Sequence, residues 1–234
     1  VTLEVLQALD AGGASCVELG VPFSDPIADG PVLQAAAHRA LEAGTTLDAV
    51  LEMLSEFRTR GGTVPVAIMS YANPLYALGW TDAAKLVAEA GADALIVPDL
   101  PIEEGVSMAE AANEFNICPI FFASPTSRDE RIVEAAARSR GFLYVVGRTG
   151  VTGSKTAFGQ DVHSFLERVA TLSDIPLGIG FGISTGEDVR EAVQHARIAI
   201  VGTALVKHLH EAGPQSASAA AHSFLKDLLT GVAA

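Results

Sequence analysis

The stretch SCVELGVP (residues 15–22), followed by GPVLQAAAHRALEAG (residues 30–44), predicts a β-strand and then an α-helix. The first segment is a short apolar run bounded by a proline, which is typical of a buried strand. The second has apolar residues at helical spacing, with a proline just inside its start and a glycine at its end. One strand-and-helix unit of this kind is the building block of a parallel sheet.

The same unit recurs along the chain. Six further apolar segments, each followed by an amphipathic stretch, are PVAIMSY (65–71), DALIVPD (93–99), CPIFFAS (118–124), GFLYVVGR (141–148), IPLGIGFG (175–182) and IAIVGT (198–203). Continuous apolar strands that alternate with amphipathic helices indicate an α/β fold in which helices cover a parallel sheet.

Seven units are one short of the eight that close a (β/α)₈ TIM barrel, a fold of about 250 residues. The chain opens directly on a helical stretch, TLEVLQALDAGGA (2–14), so we expect the missing unit to be the first strand. The alternative is an open doubly wound sheet, which usually carries a glycine fingerprint after its first strand. No such fingerprint occurs in the first half of the chain, which favours the barrel. No Gly/Ser/Pro-rich linker or shift in composition divides the chain, so we expect residues 1–234 to form a single, N-terminally truncated TIM-barrel domain.

Composition narrows the function classes. A formal net charge of −13 argues against general binding to nucleic acid, although a local ring of backbone amides could still hold one phosphate. No stretch is apolar and long enough to span a membrane, and the start does not resemble a signal peptide. Cys16 and Cys118 lie in strand-like apolar runs, which suggests reduced core thiols and a cytoplasmic location. No His/Cys cluster has metal-ligand spacing, so we expect no metal.

Glu18 is an unusual residue for the middle of a core strand. Side chains alternate along a strand, so Glu18 shares one face with Cys16 and Gly20, whereas Val17 and Leu19 share the other. The small-residue face suits a barrel lumen with space for a ligand. A buried acid needs a raised pKa, a charged partner or a substrate, and a structural salt bridge to a lysine or arginine is the alternative interpretation.

Polar residues cluster where the strands end. Active sites of barrels lie at the carboxyl ends of the strands. The loop PFSDPIADGP (22–31) brings Asp25 and Asp29 to the end of the strand that holds Glu18. Other strands project Tyr144, Asp99 and Arg148 toward the same rim, although each of these could instead be a cap or a satisfied core residue.

Glycines crowd the last three strand ends, GRTGVTGSK (147–155), GIGFGIST (178–185) and IVGTALVK (201–207). Glycine allows backbone N–H groups to approach an anion closely, and the start of a helix favours negative charge. Barrels often bind phosphate with their last loops and a short helix, which we expect to open at Gly202 and Thr203. The alternative is that these glycines only form tight turns.

The motifs ELGVPFSDPIADGP (18–31), YANP (71–74), PDLPIEE (98–104), YVVGRTGVTG (144–153), GFGIST (180–185) and VGTALVK (201–207) occur in one order and spacing. In this respect the chain resembles the α subunit of tryptophan synthase, including the related indole-3-glycerol phosphate lyases. The resemblance runs from Val1 to the C-terminal helix, and the first motif is the most specific.

The resemblance implies a lyase of tryptophan biosynthesis that cleaves indole-3-glycerol phosphate to indole and glyceraldehyde 3-phosphate. It makes Glu18 and Asp29 catalytic, with Tyr144 beside them, and places Tyr71 and Asp99 at the indole end of the site. The residues that it assigns to the phosphate loops are Thr152, Gly153, Phe181, Gly182, Gly202 and Thr203.

The resemblance also implies a partner. Asp25 and Pro26 match positions that contact the β subunit, which receives the indole in an α₂β₂ complex. It implies no cofactor in this chain, with pyridoxal phosphate only in the β subunit. Two other functions stay open at this point: a non-catalytic or allosteric partner of the β subunit, and another phosphate-binding barrel, such as an isomerase or synthase of aromatic amino-acid biosynthesis.

Overall fold

A computed structural model describes residues 1–147, 160–180 and 182–232 of the chain, in which parallel strands alternate with helices as the sequence predicts. The strands are β1 (Val17–Gly20), β2 (Val66–Met69), β3 (Ala94–Ile96), β4 (Cys118–Ile120), β5 (Phe122–Ala123), β6 (Leu143–Val145), β7 (Leu177–Ile179) and β8 (Ile198–Ala199). The helices are α1 (Thr2–Gly12), α2 (Pro31–Glu42), α3 (Leu47–Thr59), α4 (Ala72–Tyr76), α5 (Trp80–Glu89), α6 (Val106–Glu114), α7 (Asp129–Arg138), α8 (Gln160–Leu172), α9 (Gly186–Ala192), α10 (Thr203–Ala212) and α11 (Ala217–Leu229).

The strands pair in the order in which they occur along the chain. One sheet has the order β1-β2-β3-β4 and the other β5-β6-β7-β8, with every pair parallel. Strands β4 and β5 belong to the single predicted segment 118–124 and are separated only by Phe121. A doubly wound sheet reverses its strand order at a switch point, whereas this sequential order is that of the predicted barrel.

Two apolar cores lie on opposite sides of the strands. The larger one fills the space between strands and helices and includes Val17, Leu19 and Ile68. The smaller one lies on the inner face of the strands, and its buried members are Ala67, Ala94, Ile96, Ile120, Phe142 and Tyr144. Alternation of side chains along each strand separates the two cores, and the residues of the inner core line the lumen.

Three details go beyond or differ from the sequence prediction. The motif YANP leads into a short helix, α4, with Tyr71 as its N-cap. The expected short helix begins at Thr203 as α10, and it is separated from α11 because Gly213 has a φ of 75° and Pro214 follows it. Cys16 is exposed rather than a core residue, although Cys118 is half-buried, and both thiols are free.

No helix of the described residues is long and apolar enough to cross a membrane.

Arg58 joins neighbouring elements at the amino ends of the strands. Its guanidinium donates hydrogen bonds to the carbonyls of Gly62 (3.1 Å), Val64 (2.8 Å) and Gly91 (2.9 Å). It also forms an ion pair with Asp93 at 2.8 Å, just before β3. Since the side chain is only 23% exposed, these contacts fix the loops that lead into β2 and β3.

We expect Arg58→Ala to lower the free energy of unfolding by at least about 2 kcal/mol, because hydrogen bonds to charged groups contribute about 1.5–3 kcal/mol each. The matched control is Arg60→Ala at the end of the same helix, whose ion pair with Glu56 is exposed. That change should cost less than about 0.5 kcal/mol. Urea denaturation of both variants is the measurement, and equal losses would contradict the role given to Arg58.

Candidate active site

Glu18 faces the lumen, as predicted from the alternation along β1. Its Cα is paired with that of Ala67 in β2, and Ala67 belongs to the inner core. Burial raises the pKa of the Glu18 carboxyl from 4.5 to about 7, although part of its surface remains accessible from the lumen. Among the described residues, no lysine, arginine or histidine forms an ion pair with it. Within this part of the chain, the alternative of a structural salt bridge therefore has no support.

Asp29 is held by a tyrosine from the next strand end. The Tyr71 hydroxyl donates to Asp29 Oδ2 at 3.0 Å and accepts from the backbone N–H of Ala28 at 3.0 Å. The Phe23 ring stacks on that of Tyr71, with centroids 5.3 Å apart. Burial raises the pKa of Asp29, and the hydrogen bond from Tyr71 opposes this shift. The resemblance assigns Asp29 and Tyr71 to the same site, and the structure shows that they are in direct contact.

The loop that carries Asp29 is folded by its own backbone. The N–H of Ile27 donates to the carbonyl of Asp25 at 2.9 Å, and that of Asp29 donates to the carbonyl of Pro26 at 3.0 Å. Asp25 is exposed and accepts a hydrogen bond from Ser24 Oγ at 2.5 Å. The turn therefore connects an exposed surface, including an Ile27 side chain that is 74% exposed, with the carboxylate of Asp29.

Tyr144 is a buried phenol near both carboxyl groups. Its ring contacts that of Phe122, with centroids 4.7 Å apart. Burial raises the pKa of Tyr144 well above its usual value, and the charges of Glu18 and Asp29 raise it further. The hydroxyl therefore stays protonated and is available as a hydrogen-bond donor. The charges of Glu18 and Asp29 therefore act on Tyr144 from within the same part of the barrel.

The space that the Tyr144 side chain occupies depends on Gly180, which the sequence analysis does not name as a site residue. A Cβ at Gly180 would lie 2.5 Å from the Tyr144 hydroxyl, and one at Gly178 would lie 2.6 Å from the Phe142 ring. Both glycines follow the period of two in LGIG (177–180), so they share one face of β7 and its end. Alternate glycines in a strand are the signal that could have identified these positions.

Asp99 follows β3 and contacts the backbone of the neighbouring strand end. Its Oδ1 accepts a hydrogen bond of 2.8 Å from the N–H of Ala72, the first residue of α4. Asp99 is half-buried and lies close enough to Tyr71 for its charge to raise the pKa of the phenol. Its predicted contact with the indole end of a substrate stays a prediction.

Only some of the residues predicted to bind phosphate belong to the part of the chain that the structure describes. Gly182 follows β7 with a φ of 69°, and α10 begins at Thr203 with Gly202 as its N-cap. Strands β7 and β8 are paired, so the two loops that follow them are neighbours. Among the described residues, apart from its two chain neighbours, no atom lies within 4 Å of the place that a Cβ on Gly202 would occupy. Arg148, Thr152, Gly153 and Phe181 lie outside the described residues.

No group of three or more His, Cys, Asp or Glu side chains in the described ranges is arranged to hold a metal ion. The described part of the site offers two carboxyl groups with raised pKa values, those of Glu18 and Asp29. One of them has a pKa near neutrality and faces an accessible lumen. Such a group can act as both acid and base at neutral pH.

Known proteins resemble this chain over nearly its whole length. The profile of the family described as tryptophan synthase alpha chain matches residues 1–229. A tryptophan synthase alpha chain of Acaryochloris marina is 43% identical over 228 residues, which cover 97% of this chain and 85% of that protein. The corresponding chain of a Roseiflexus species is 44% identical over 226 residues, which cover 97% and 87%.

Solved structures of tryptophan synthase alpha chains resemble this chain as well. Tryptophan synthase subunit alpha from Legionella pneumophila superposes with a TM-score of 0.89 at 32% identity, over 99% of this chain and 86% of that one. A chain of the tryptophan synthase complex from Pyrococcus furiosus superposes with a TM-score of 0.88 at 33% identity, over 98% and 91%. These relatives have the TIM-barrel fold, which confirms the fold class predicted from the sequence. By sequence and by fold, this chain belongs to the tryptophan synthase alpha chain family.

Proposed function

We propose that this protein catalyses the retro-aldol cleavage of indole-3-glycerol phosphate to indole and glyceraldehyde 3-phosphate, the alpha reaction of tryptophan synthase. Membership of the family supports the reaction. The observation that carries the proposal is the Glu18 carboxyl in the lumen, whose pKa of about 7 lies where an acid–base group is effective at neutral pH.

The reaction needs a proton at one carbon and removes one from a hydroxyl. Protonated Glu18 donates its proton to C3 of the indole ring, which gives an indolenine. The carboxylate that remains takes the proton of the glyceryl hydroxyl next to the scissile bond. The electron pair of that O–H bond forms the aldehyde carbonyl, the carbon–carbon bond breaks, and its electrons restore the aromatic indole. Glu18 is then protonated again, so the protons balance.

Asp29 has the complementary role. Protonation at C3 places positive charge on the indole nitrogen, and an ionised carboxylate that accepts its N–H stabilises this charge. The hydrogen bond from Tyr71 to Asp29 Oδ2 favours the ionised form. Tyr144 keeps its proton, because burial and both nearby carboxyl groups disfavour the phenolate. Its hydroxyl can therefore orient Glu18 or the substrate hydroxyl.

The phosphate end of the substrate is assigned to the last loops of the barrel. Backbone N–H groups of Gly182, Gly202 and Thr203 support this assignment, because the loops follow the paired strands β7 and β8 and the described residues leave the Cβ position of Gly202 open. The start of α10 adds favourable partial charge for an anion. Thr152, Gly153 and Phe181 complete the proposed set from residues outside the described ranges.

The partner in this proposal is the β subunit of tryptophan synthase. Support comes from the structural likeness to a chain of the tryptophan synthase complex of Pyrococcus furiosus. Asp25 and Pro26 are the proposed contacts, and the exposed Ile27 beside them offers apolar surface. In this proposal the chain works in the cytoplasm and needs no cofactor of its own, and pyridoxal phosphate belongs to the partner.

Glu18→Gln should lower kcat for indole release by at least about 10²-fold, because an amide can neither donate nor accept the proton, and acid–base catalysis contributes about 10²–10⁴-fold. Indole release is measured with and without added β subunit, which also tests the alternative of a non-catalytic partner. The matched control is Glu52→Gln on the exposed face of α3, which should behave as wild type. A Glu18→Gln enzyme that kept more than about a tenth of the activity would contradict the assignment.

Gly202→Val tests the phosphate assignment. Its backbone has a φ of −104°, whereas Gly182 has a positive φ of 69°, so the fold should tolerate a side chain better at Gly202 than at Gly182. We expect KM for indole-3-glycerol phosphate to rise about tenfold or more, as for the loss of one charge-assisted hydrogen bond. Indole glycerol without phosphate should react equally poorly with both enzymes. A variant with an unchanged KM would show that Gly202 serves the turn only.

A further inference from the structure

We infer that Asp99 is a positioning residue: by binding the first N–H of α4, its carboxylate holds Tyr71 where that side chain hydrogen-bonds Asp29. This inference rests on the proposed function, since Asp29 is the group that it positions. It gives Asp99 an effect on the reaction that requires no contact with the substrate. Three successive strand ends are connected in this way, from β3 through the end of β2 to the loop after β1.

The first link is the start of α4. Tyr71 is the N-cap of this helix, in extended conformation with a φ of −64° and a ψ of 156°, and its own side chain forms no cap. Asp99 Oδ1 supplies the missing acceptor from the neighbouring strand end, at 2.8 Å from the N–H of Ala72. A carboxylate at a helix start satisfies a free donor and interacts favourably with the helix dipole.

The helix depends on such outside support. Helix α4 comprises only the five residues ANPLY, and a single turn of this length is not stable by itself in water. The backbone before it is fixed as well, because the N–H of Ser70 donates to the carbonyl of Ile96 at 3.0 Å. Asp99 therefore fixes the next peptide, at the point where the chain turns from β2 into α4.

The second link is the Tyr71 side chain. Its hydroxyl has one hydrogen, which it donates to Asp29 Oδ2 at 3.0 Å, while it accepts the N–H of Ala28 at 3.0 Å. Burial raises the pKa of Tyr71, and the charges of Asp29 and Asp99 raise it further. The phenol therefore stays a donor throughout the neutral range. A shift of its backbone would displace the hydroxyl from both partners, because the ring is 5% exposed and packed against Phe23.

The test compares two substitutions at Asp99. Asp99→Ala removes the acceptor and should lower kcat about 10- to 100-fold with less than about a threefold change in KM, since small misplacements of catalytic groups cost up to about 10². Asp99→Asn keeps an oxygen that can accept the Ala72 N–H, so it should retain kcat within about threefold. In a Tyr71→Phe background, Asp99→Ala should cause little further loss, because both changes act on the same bond.

A second measurement does not depend on turnover. The carboxyl carbon of Asp29 is followed by ¹³C NMR titration, with its signal assigned by its loss in Asp29→Asn. Because the bond from Tyr71 favours ionised Asp29, both Tyr71→Phe and Asp99→Ala should raise the pKa of Asp29, and Asp99→Asn should not. This titration does not require the wild-type enzyme to release indole. If no indole is released, the proposed function fails, and the titration still tests whether Asp99 positions Tyr71 against Asp29.

The matched control is Asp10, which accepts the backbone N–H groups of Thr63 and Val64, each at 3.0 Å, before the amino end of β2. Asp10→Ala should reduce stability without changing kcat or the pKa of Asp29. Two results would overturn the inference. One is an unchanged Asp29 pKa in Asp99→Ala. The other is a rise of KM of similar size in both Asp99 variants, which would make Asp99 a substrate contact.

Discussion

The burial of one carboxyl group inside the barrel determines how this protein works. Glu18 lies on the inner face of β1, opposite the face that packs against the helices, and it has lost most of its contact with water. A carboxyl in such surroundings holds its proton more tightly, which moves its pKa to about 7. Gly20 shares this face of the strand, and among the described residues outside its chain neighbours no atom lies within 4 Å of its Cβ position. The strand therefore leaves space beside the acid.

The second carboxyl group, that of Asp29, has different surroundings. Asp29 lies on a loop, receives a hydrogen bond from Tyr71, and is held through that bond to the end of β2. A donor to the charged form opposes the effect of burial. The two acids therefore occupy unlike environments. Such environments separate the pKa values of two acids, so that one acid can serve as the proton donor and the other as the charge stabiliser. Asp99 extends the same arrangement by one strand, because it holds the turn from which Tyr71 projects.

The sequence predicts the fold and the orientation of Glu18 because both depend on local periodicity, which places Glu18 and Cys16 on one face. It does not predict the hydrogen bond between Tyr71 and Asp29, since these residues are 42 positions apart and meet only through the register of β1 and β2. Helix α4 was missed because five residues are too few for a helical period and one of them is a proline. The start of α10 at Gly202 and Thr203 was predicted from the glycine-rich strand end, and Gly213 and Pro214 mark the end of this helix.

Burial makes Glu18 an acid with a pKa near neutrality. The most direct measurement is an infrared or ¹³C NMR titration of the wild-type protein, from which the same titration of Glu18→Gln is subtracted. One carboxyl group should then titrate with a midpoint near 7, as burial requires. A midpoint near 4.5, the ordinary value for a glutamate, would show that Glu18 is well solvated and would contradict its role as an acid at neutral pH.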